Sequence, residues 1–149
     1  MQPNAVTLRK LSHADVKVLS EKTKTSETET RQMLADSDAG THDGRFFEAY
    51  AVAEGSRTVG VVTLYEQSVG VISVGPEVFA EHRRRGIGTN ALQQAIGIAR
   101  EKGYGIVSQQ IRTDNAASIK LHEKCGFETD GRVIRTRKGN DALLYVKKI

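Results

Sequence analysis

Residues 81–90 read EHRRRGIGTN: three arginines stand directly before a Gly-Ile-Gly step. Adjacent like charges repel, and each glycine costs backbone entropy on folding. A solvated basic turn would explain the charge alone. A loop shaped to hold an anion explains both features. The flanks bear on the choice. Upstream, SVGVISVGPEVFA (68–80) reads as a strand, with Gly75 and Pro76 inside it where they suggest a bulge or a break in pairing. Downstream, Leu92, Ala95, Ile96 and Ala99 recur at helical spacing, and Gly103 is a natural stop. The loop therefore lies between a strand and the first turn of a helix. Unpaired N–H groups and the positive end of the helix dipole meet there. Gly86 and Gly88 have no Cβ, so an anion can approach the backbone, and such a place binds phosphate without further apparatus.

The rest of the chain supplies the frame. VTLRKLS (6–12) is strand-like, and Ser12 or Asp15 can start a short helix through VKVLSEK (16–22). Ser26-x-x-Glu29 is a capping box ahead of the helix-competent ETRQMLADS (29–37). The polar DAGTHDGR (38–45) carries the least pattern. FFEAYAVAEG (46–55) and RTVGVVTLYEQ (57–67) form a hairpin about a Gly-Ser turn. After the loop helix, GIVSQQIRT (105–113) is a short strand, Asp114 or Asn115 caps a helix through SIKLHEKC (118–125), and Gly126 ends it. Residues 127–139 and 140–148 read as two closing strands. This order predicts an α+β, or mixed α/β, fold with a largely antiparallel sheet.

Composition narrows the function. A chain of 149 residues with two prolines and no low-complexity linker is expected to form one domain over 1–149. A single cysteine, Cys125, excludes an internal disulfide and fits a reducing compartment. No apolar run is long enough to cross a bilayer, and the N-terminal stretch lacks an apolar leader, so a cytoplasmic protein without a membrane partner is expected. The net charge of +4 favours anionic partners. The basic residues are scattered among acidic ones and aromatics make up only 5%, which argues against a nucleic-acid reader. Nothing in the pattern calls for a metal.

Two known phosphate loops fit poorly. A P-loop needs a Lys-Ser/Thr pair after its last glycine, and Thr89 follows Gly88 with no lysine. Gly86-Ile-Gly88-Thr-Asn-Ala91 loosely matches G-x-G-x-x-G/A, but several strands precede it and the next strand carries no acid. A third pattern covers more residues. Arg83-Arg84-Arg85-Gly86-Ile87-Gly88 resembles the R/Q-x-x-G-x-G/A loop of the GCN5-related N-acetyltransferases. Asn115-Ala-Ala-Ser118-Ile-Lys-Leu-His122-Glu-Lys-Cys-Gly126-Phe127 is similar to that family's N-x-x-[AS]-x-x-L-Y-x-K-x-G-F helix and its exit. The two segments stand in the family's order, and the resemblance is specific from about residue 68 to 127.

The resemblance implies a single domain with a six- to seven-stranded sheet, splayed fourth and fifth strands and about four helices. It implies acetyl-CoA as acyl donor and a small-molecule or peptide amine as acceptor, and it leaves a homodimer open. On this reading Arg83, Arg84, Arg85, Gly86, Ile87, Gly88 and Thr89 cradle the pyrophosphate. Val78 offers its backbone N–H to the thioester oxygen, a fixed dipole of the kind that stabilises an oxyanion. Asn115 contacts the pantetheine, with Ser118 one helical turn on. His122 stands where the family commonly has a tyrosine that protonates the departing thiolate. Imidazolium can do that; equally, His122 can simply pack beside the cofactor while water gives the proton. Cys125 reads as core. Glu77, Glu81 and His82 near the end of the fourth strand and Glu48 and Glu66 on the hairpin are the candidates for a base, several members of the family use a water chain instead, and the sequence does not choose among these. The competing function is a non-catalytic acyl-CoA-binding sensor, which the missing tyrosine favours. Positioning and oxyanion stabilisation outweigh one general acid, and that favours the enzyme.

Overall fold

The computed structural model describes residues 5–149, so the first four residues of the stretch read above as leaderless lie outside it. The chain runs β1 (Thr7–Lys10), a 3-10 turn (His13–Asp15), α1 (Val16–Thr23), α2 (Glu27–Ala39), β2 (Thr41–His42), β3 (Arg45–Glu54), β4 (Arg57–Ser68) and β5 (Val71–Val78). A second 3-10 turn (Ala80–His82) leads to α3 (Ile87–Glu101), β6 (Ile106–Arg112), α4 (Ala116–Lys124), β7 (Val133–Arg135) and β8 (Asp141–Lys148). The sheet order is β1-β3-β4-β5-β6-β8-β7, with β2 attached to β3 off that path. This is the expected α+β architecture with four helices.

The extra strand comes from the segment with the least pattern. His42 and Arg45 pair across a two-residue turn in which Asp43 and Gly44 both have positive φ, +51° and +76°. Asp-Gly suits that turn because its twist matches the flanking strands. Capping follows the sequence more directly. Ser26 accepts the Glu29 N–H at the head of α2, and Asn115 accepts the Ser118 N–H at the head of α4.

Alternation along the central strands sorts two cores. Tyr50, Val62, Leu64, Ile72 and Val74 face α3, where Leu92, Ala95, Ile96 and Ala99 form the buried stripe. Ala49, Ala51, Val61 and Phe79 face α1 and α2, meeting Val16, Leu19 and Leu34. Covered on both faces, β3 and β4 read as nearly continuous apolar runs rather than alternating ones.

The sheet is antiparallel in two halves joined by one parallel seam. β5 and β6 pair only at Val71↔Ile106 and Ile72↔Val107. Beyond those rungs the strands part, while β5 continues to pair with β4 through Gly60↔Val78. No register shift occurs at Gly75 or Pro76; the irregularities lie at Val52/Ala53 and Glu66/Ser68. The expected bulge is therefore absent, and Pro76 serves a different end. It lacks an N–H and sits opposite Val62, so its nitrogen costs the β4 ladder nothing if it faces the gap.

Candidate active site

The parting of β5 from β6 leaves a gap, and three features converge on it. The first is the backbone of β5. Phe79 donates its N–H to the Val59 carbonyl at 2.9 Å. In an antiparallel ladder bonded and non-bonded pairs alternate, so Val78 turns its N–H away from β4 and toward the gap. Gly60 makes this close pairing possible. A Cβ there would lie 2.5 Å from the Glu77 carbonyl oxygen and 3.1 Å from the Val78 Cα. Just past the last β5–β6 rung, the Ser73 hydroxyl donates to the Gln109 carboxamide oxygen at 2.5 Å and marks the closed end of the gap.

The second feature is the arginine–glycine loop. Arg84 and Gly86 both adopt left-handed backbone, with φ of +64° and +78°. For Arg84 that costs on the order of 1 kcal/mol. Gly86 is the N-cap of α3 and has no side chain to cap it. The first intrahelical bond runs from the Asn90 N–H to the Gly86 carbonyl. Consequently the backbone N–H groups from Arg84 to Thr89 have no hydrogen-bond partner among the described residues. Such a row of unpaired donors at a helix head suits a diphosphate. A Cβ on Gly88 would meet Leu121 at 3.5 Å and Val78 at 3.6 Å, so this glycine stands between the end of β5 and α4.

The three arginines behave differently. Arg83 donates its Nε to the Val78 carbonyl at 3.0 Å. Arg85 forms an ion pair with Glu54, which also binds Arg57, and lies 3.4 Å from His82 Nδ1. Arg84 is exposed, and its guanidinium has no partner among the described residues. The Arg85 side chain is thus directed to Glu54, Ile87 is buried in the core, and only their backbone groups join the row.

The third feature is a cavity of about 160 Å³ on the opposite face of β4 and β5 from α3, roofed by α1 and α2. Leu19, Met33 and Val61 supply its apolar wall. Thr23, Thr25, Thr30 and Thr63 supply hydroxyls, and Glu29 and Glu77 supply carboxylates. Gly75 also lines it, and a Cβ there would meet Thr63 Oγ1 at 3.5 Å and Gln109 Nε2 of β6 at 3.6 Å.

This placement separates the candidate bases. Glu48 lies with Tyr50 on the other face, bound by Lys10 and by the Tyr50 hydroxyl at 2.6 Å. Glu66 accepts the Tyr104 hydroxyl at 2.8 Å. Glu81 pairs with Lys22 at 2.7 Å, and His82 is buried beside Arg85. Glu77 alone of the five lines the cavity. It keeps an exposed side, yet its surroundings desolvate the carboxyl and push its pKa above the ordinary value, with the Arg83 charge opposing.

The α4 residues split likewise. Asn115 is exposed and Ser118 half-buried at the head of the helix. His122 is 1% exposed, donates from Nδ1 to the Ser118 carbonyl at 2.8 Å, and stacks edge-on against Phe127 with ring centroids 4.9 Å apart. Its Nε2 is buried without a partner. Burial pushes its pKa below the ordinary histidine value, against the pull of the Ser118 carbonyl. That environment favours neutral imidazole and the packing alternative over imidazolium. Cys125 is buried, and burial raises its thiol pKa, as befits core. No group of three or more His, Cys, Asp or Glu side chains suited to a metal occurs among the described residues, and no helix among them is long and apolar enough to cross a membrane.

A family model described as Acetyltransferase (GNAT) family matches residues 14–127. The chain belongs to the GNAT acetyltransferase family. It is 31% identical over 100 residues to an L-methionine sulfoximine/L-methionine sulfone acetyltransferase of Pseudomonas paraeruginosa, a match covering 61% of this chain and 58% of that relative. Less than two thirds of that relative's length is therefore matched. Among solved structures, the fold is similar to a Salmonella typhimurium acetyltransferase that modifies the N-terminal serine of ribosomal protein L7/L12, with a TM-score of 0.83 at 19% identity, covering 99% of this chain and 98% of that one. It is also similar to the PaiA N-acetyltransferase of Thermoplasma acidophilum in complex with coenzyme A, with a TM-score of 0.77 at 17% identity, covering 97% and 99%. At these identities the structural likeness speaks to the fold.

Proposed function

We propose that this protein is an acetyl-CoA-dependent N-acetyltransferase that acts on a primary amine, and that residues 1–149 form one catalytic unit. The observation that carries this reading is the row of unpaired backbone N–H groups from Arg84 to Thr89, set at the mouth of the β5–β6 gap. Family membership supports the donor, and the proteins named above are acetyltransferases. When bound, acetyl-CoA supplies an activated acyl thioester. The chain's residues hold and polarise it. The row at Arg84–Thr89 and the Arg84 guanidinium take the phosphates. The Val78 N–H meets the thioester oxygen and stabilises negative charge there. Asn115 and Ser118 border the pantetheine.

The acceptor enters from the cavity under α1 and α2. Glu77 takes its proton, so that nitrogen carries a free lone pair when it bonds to the acyl carbon as the carbon–sulfur bond breaks. A carboxyl with a raised pKa is a better base near neutral pH than an ordinary one. His122 stays neutral and packs α4 against Phe127, and the proton that the nitrogen loses as the amide forms passes through water to the departing thiolate. A reducing, cytoplasmic setting fits the single buried cysteine. A non-catalytic sensor would need the cofactor row alone; a carboxylate-bearing cavity lined by Gly75 and Glu77 of the same strand that carries Val78 favours the enzyme.

Purified protein with acetyl-CoA and a panel of primary amines tests this directly. Thiol release that depends on both the amine and the protein is the expected result. A protein that binds acetyl-CoA but releases no thiol with any amine would instead be the sensor.

A further inference from the structure

The cavity's charges go further than the reaction class. Building on the reading that this cavity is the acceptor site, we infer that the acceptor is a small primary amine with no carboxylate beside the reacting nitrogen. Among the described residues, the charged groups lining the cavity are Glu29 and Glu77, and no lysine or arginine lines it. Two nearby cations are directed elsewhere, and Lys24, exposed between Thr23 and Thr25, does not line the cavity. Lys22 pairs with Glu81 at 2.7 Å, and the Arg83 Nε is held on the Val78 carbonyl at 3.0 Å. An α-amino acid presents a carboxylate one carbon from its nitrogen. Here that group would meet two like charges and lose its water without a cation to pair with.

The hydroxyls lead to the same conclusion. Thr23 and Thr25 bond to each other at 2.7 Å, and Thr30 donates to the Ser26 carbonyl at 3.0 Å. That leaves Thr63 as the hydroxyl without a partner among the described residues. A carboxylate wants several donors at once. An ammonium or amine wants acceptors, which Glu77, Glu29 and the hydroxyl oxygens provide. Size agrees as well. The cavity of about 160 Å³ is close to the roughly 150 Å³ that admits a benzene-sized molecule, which is room for a short aliphatic arm. The curated relatives act on amino acids by their names, so this chain is expected to depart from them in acceptor.

The test uses matched pairs that differ only in the carboxylate: methionine sulfone against 3-(methylsulfonyl)propylamine, norvaline against butylamine, and phenylalanine against phenethylamine. Thiol release is followed with the native protein, and acetyl-CoA binding is measured separately by calorimetry. The carboxylate-free partner should have the higher kcat/KM by about tenfold or more. Equal rates, or faster turnover of the amino acids, would overturn the inference and leave the transferase reading standing. Bound acetyl-CoA with no turnover of any amine would sink both. Glu29→Gln retains a capping residue at that position and removes one of the two charges. It should narrow the preference severalfold without changing acetyl-CoA affinity, and an unchanged preference would overturn the electrostatic cause.

Discussion

Three neighbouring arginines have three different surroundings, and their removal should have different consequences. Arg84 is the exposed one without a partner, so Arg84→Ala should weaken acetyl-CoA binding by about tenfold and reduce its dependence on salt. Arg85→Ala should act through stability and loop order, because its partner is Glu54. Calorimetry across ionic strength, beside a melting curve, separates the two. Equal effects on affinity from both variants would contradict the division. This division was not legible in the sequence: Glu54 lies 31 positions before Arg85, and only the fold brings them together. The proposed base was hidden for the same reason. Four of the five candidates are the same letter, and what distinguishes Glu77 is which face of β5 it occupies and what roofs it. His122 shows the converse. Its place in the helix motif was legible, but its burial against Phe127 was not. His122→Phe should therefore keep most of kcat, and the rate should show no limb that disappears with the imidazole. A folded variant with kcat reduced about a hundredfold would restore the general-acid role.

At the scale of elements, the gap depends on how closely β4 and β5 lie. Gly60 is the contact that allows it, because a Cβ would overlap the Glu77 backbone. Backbone cannot give way as a flexible side chain can. Gly60→Ala should cost about 1–3 kcal/mol of stability and displace the Val78 N–H. Denaturant melts measure the first effect, and kcat at saturating acetyl-CoA the second. A variant as stable and active as the native protein would show that β5 is not held in this way. Most elements were legible because their signals are local: capping boxes, helical spacing at Leu92 to Ala99, and paired strands about a short turn. β2 escaped because two residues carry no period. Its Asp-Gly turn was the only available cue, and it lay in a polar stretch with no apolar alternation around it. The bulge expected at Gly75–Pro76 was a misreading of the same kind. Pairing with β4 runs through both residues without a shift, and the β6 ladder has already ended at Ile72.

For the molecule as a whole, the N-terminal elements are tied to the sheet by a buried acid. Asp15 accepts both terminal nitrogens of Arg9, at 2.8 and 2.9 Å, and also bonds to Thr58 and the Ser12 N–H. Burial pushes its carboxyl up, but these partners outweigh burial and hold its pKa at about 2. The folded value is thus depressed below the ordinary one of about 4. The stabilisation it brings is complete above pH 4 or so and is lost as pH falls toward 2. Native protein should lose denaturant resistance across that window. Asp15→Asn should start less stable and change less there; parallel losses in the two proteins would place the acid sensitivity elsewhere.

The central claim is that the row at the head of α3, beside the β5–β6 gap, holds the acyl donor, and calorimetric titration with acetyl-CoA tests it most directly. Gly88→Ala adds a Cβ that meets its neighbours at ordinary contact distance, so it controls for folding. Gly88→Val adds branched methyls between Val78 and Leu121. The native protein should bind one acetyl-CoA per chain, the alanine variant nearly as well, and the valine variant at least about tenfold more weakly while still folded, with a melting curve to check that. A native protein that does not bind acetyl-CoA, or a folded valine variant with the native Kd, would contradict the account.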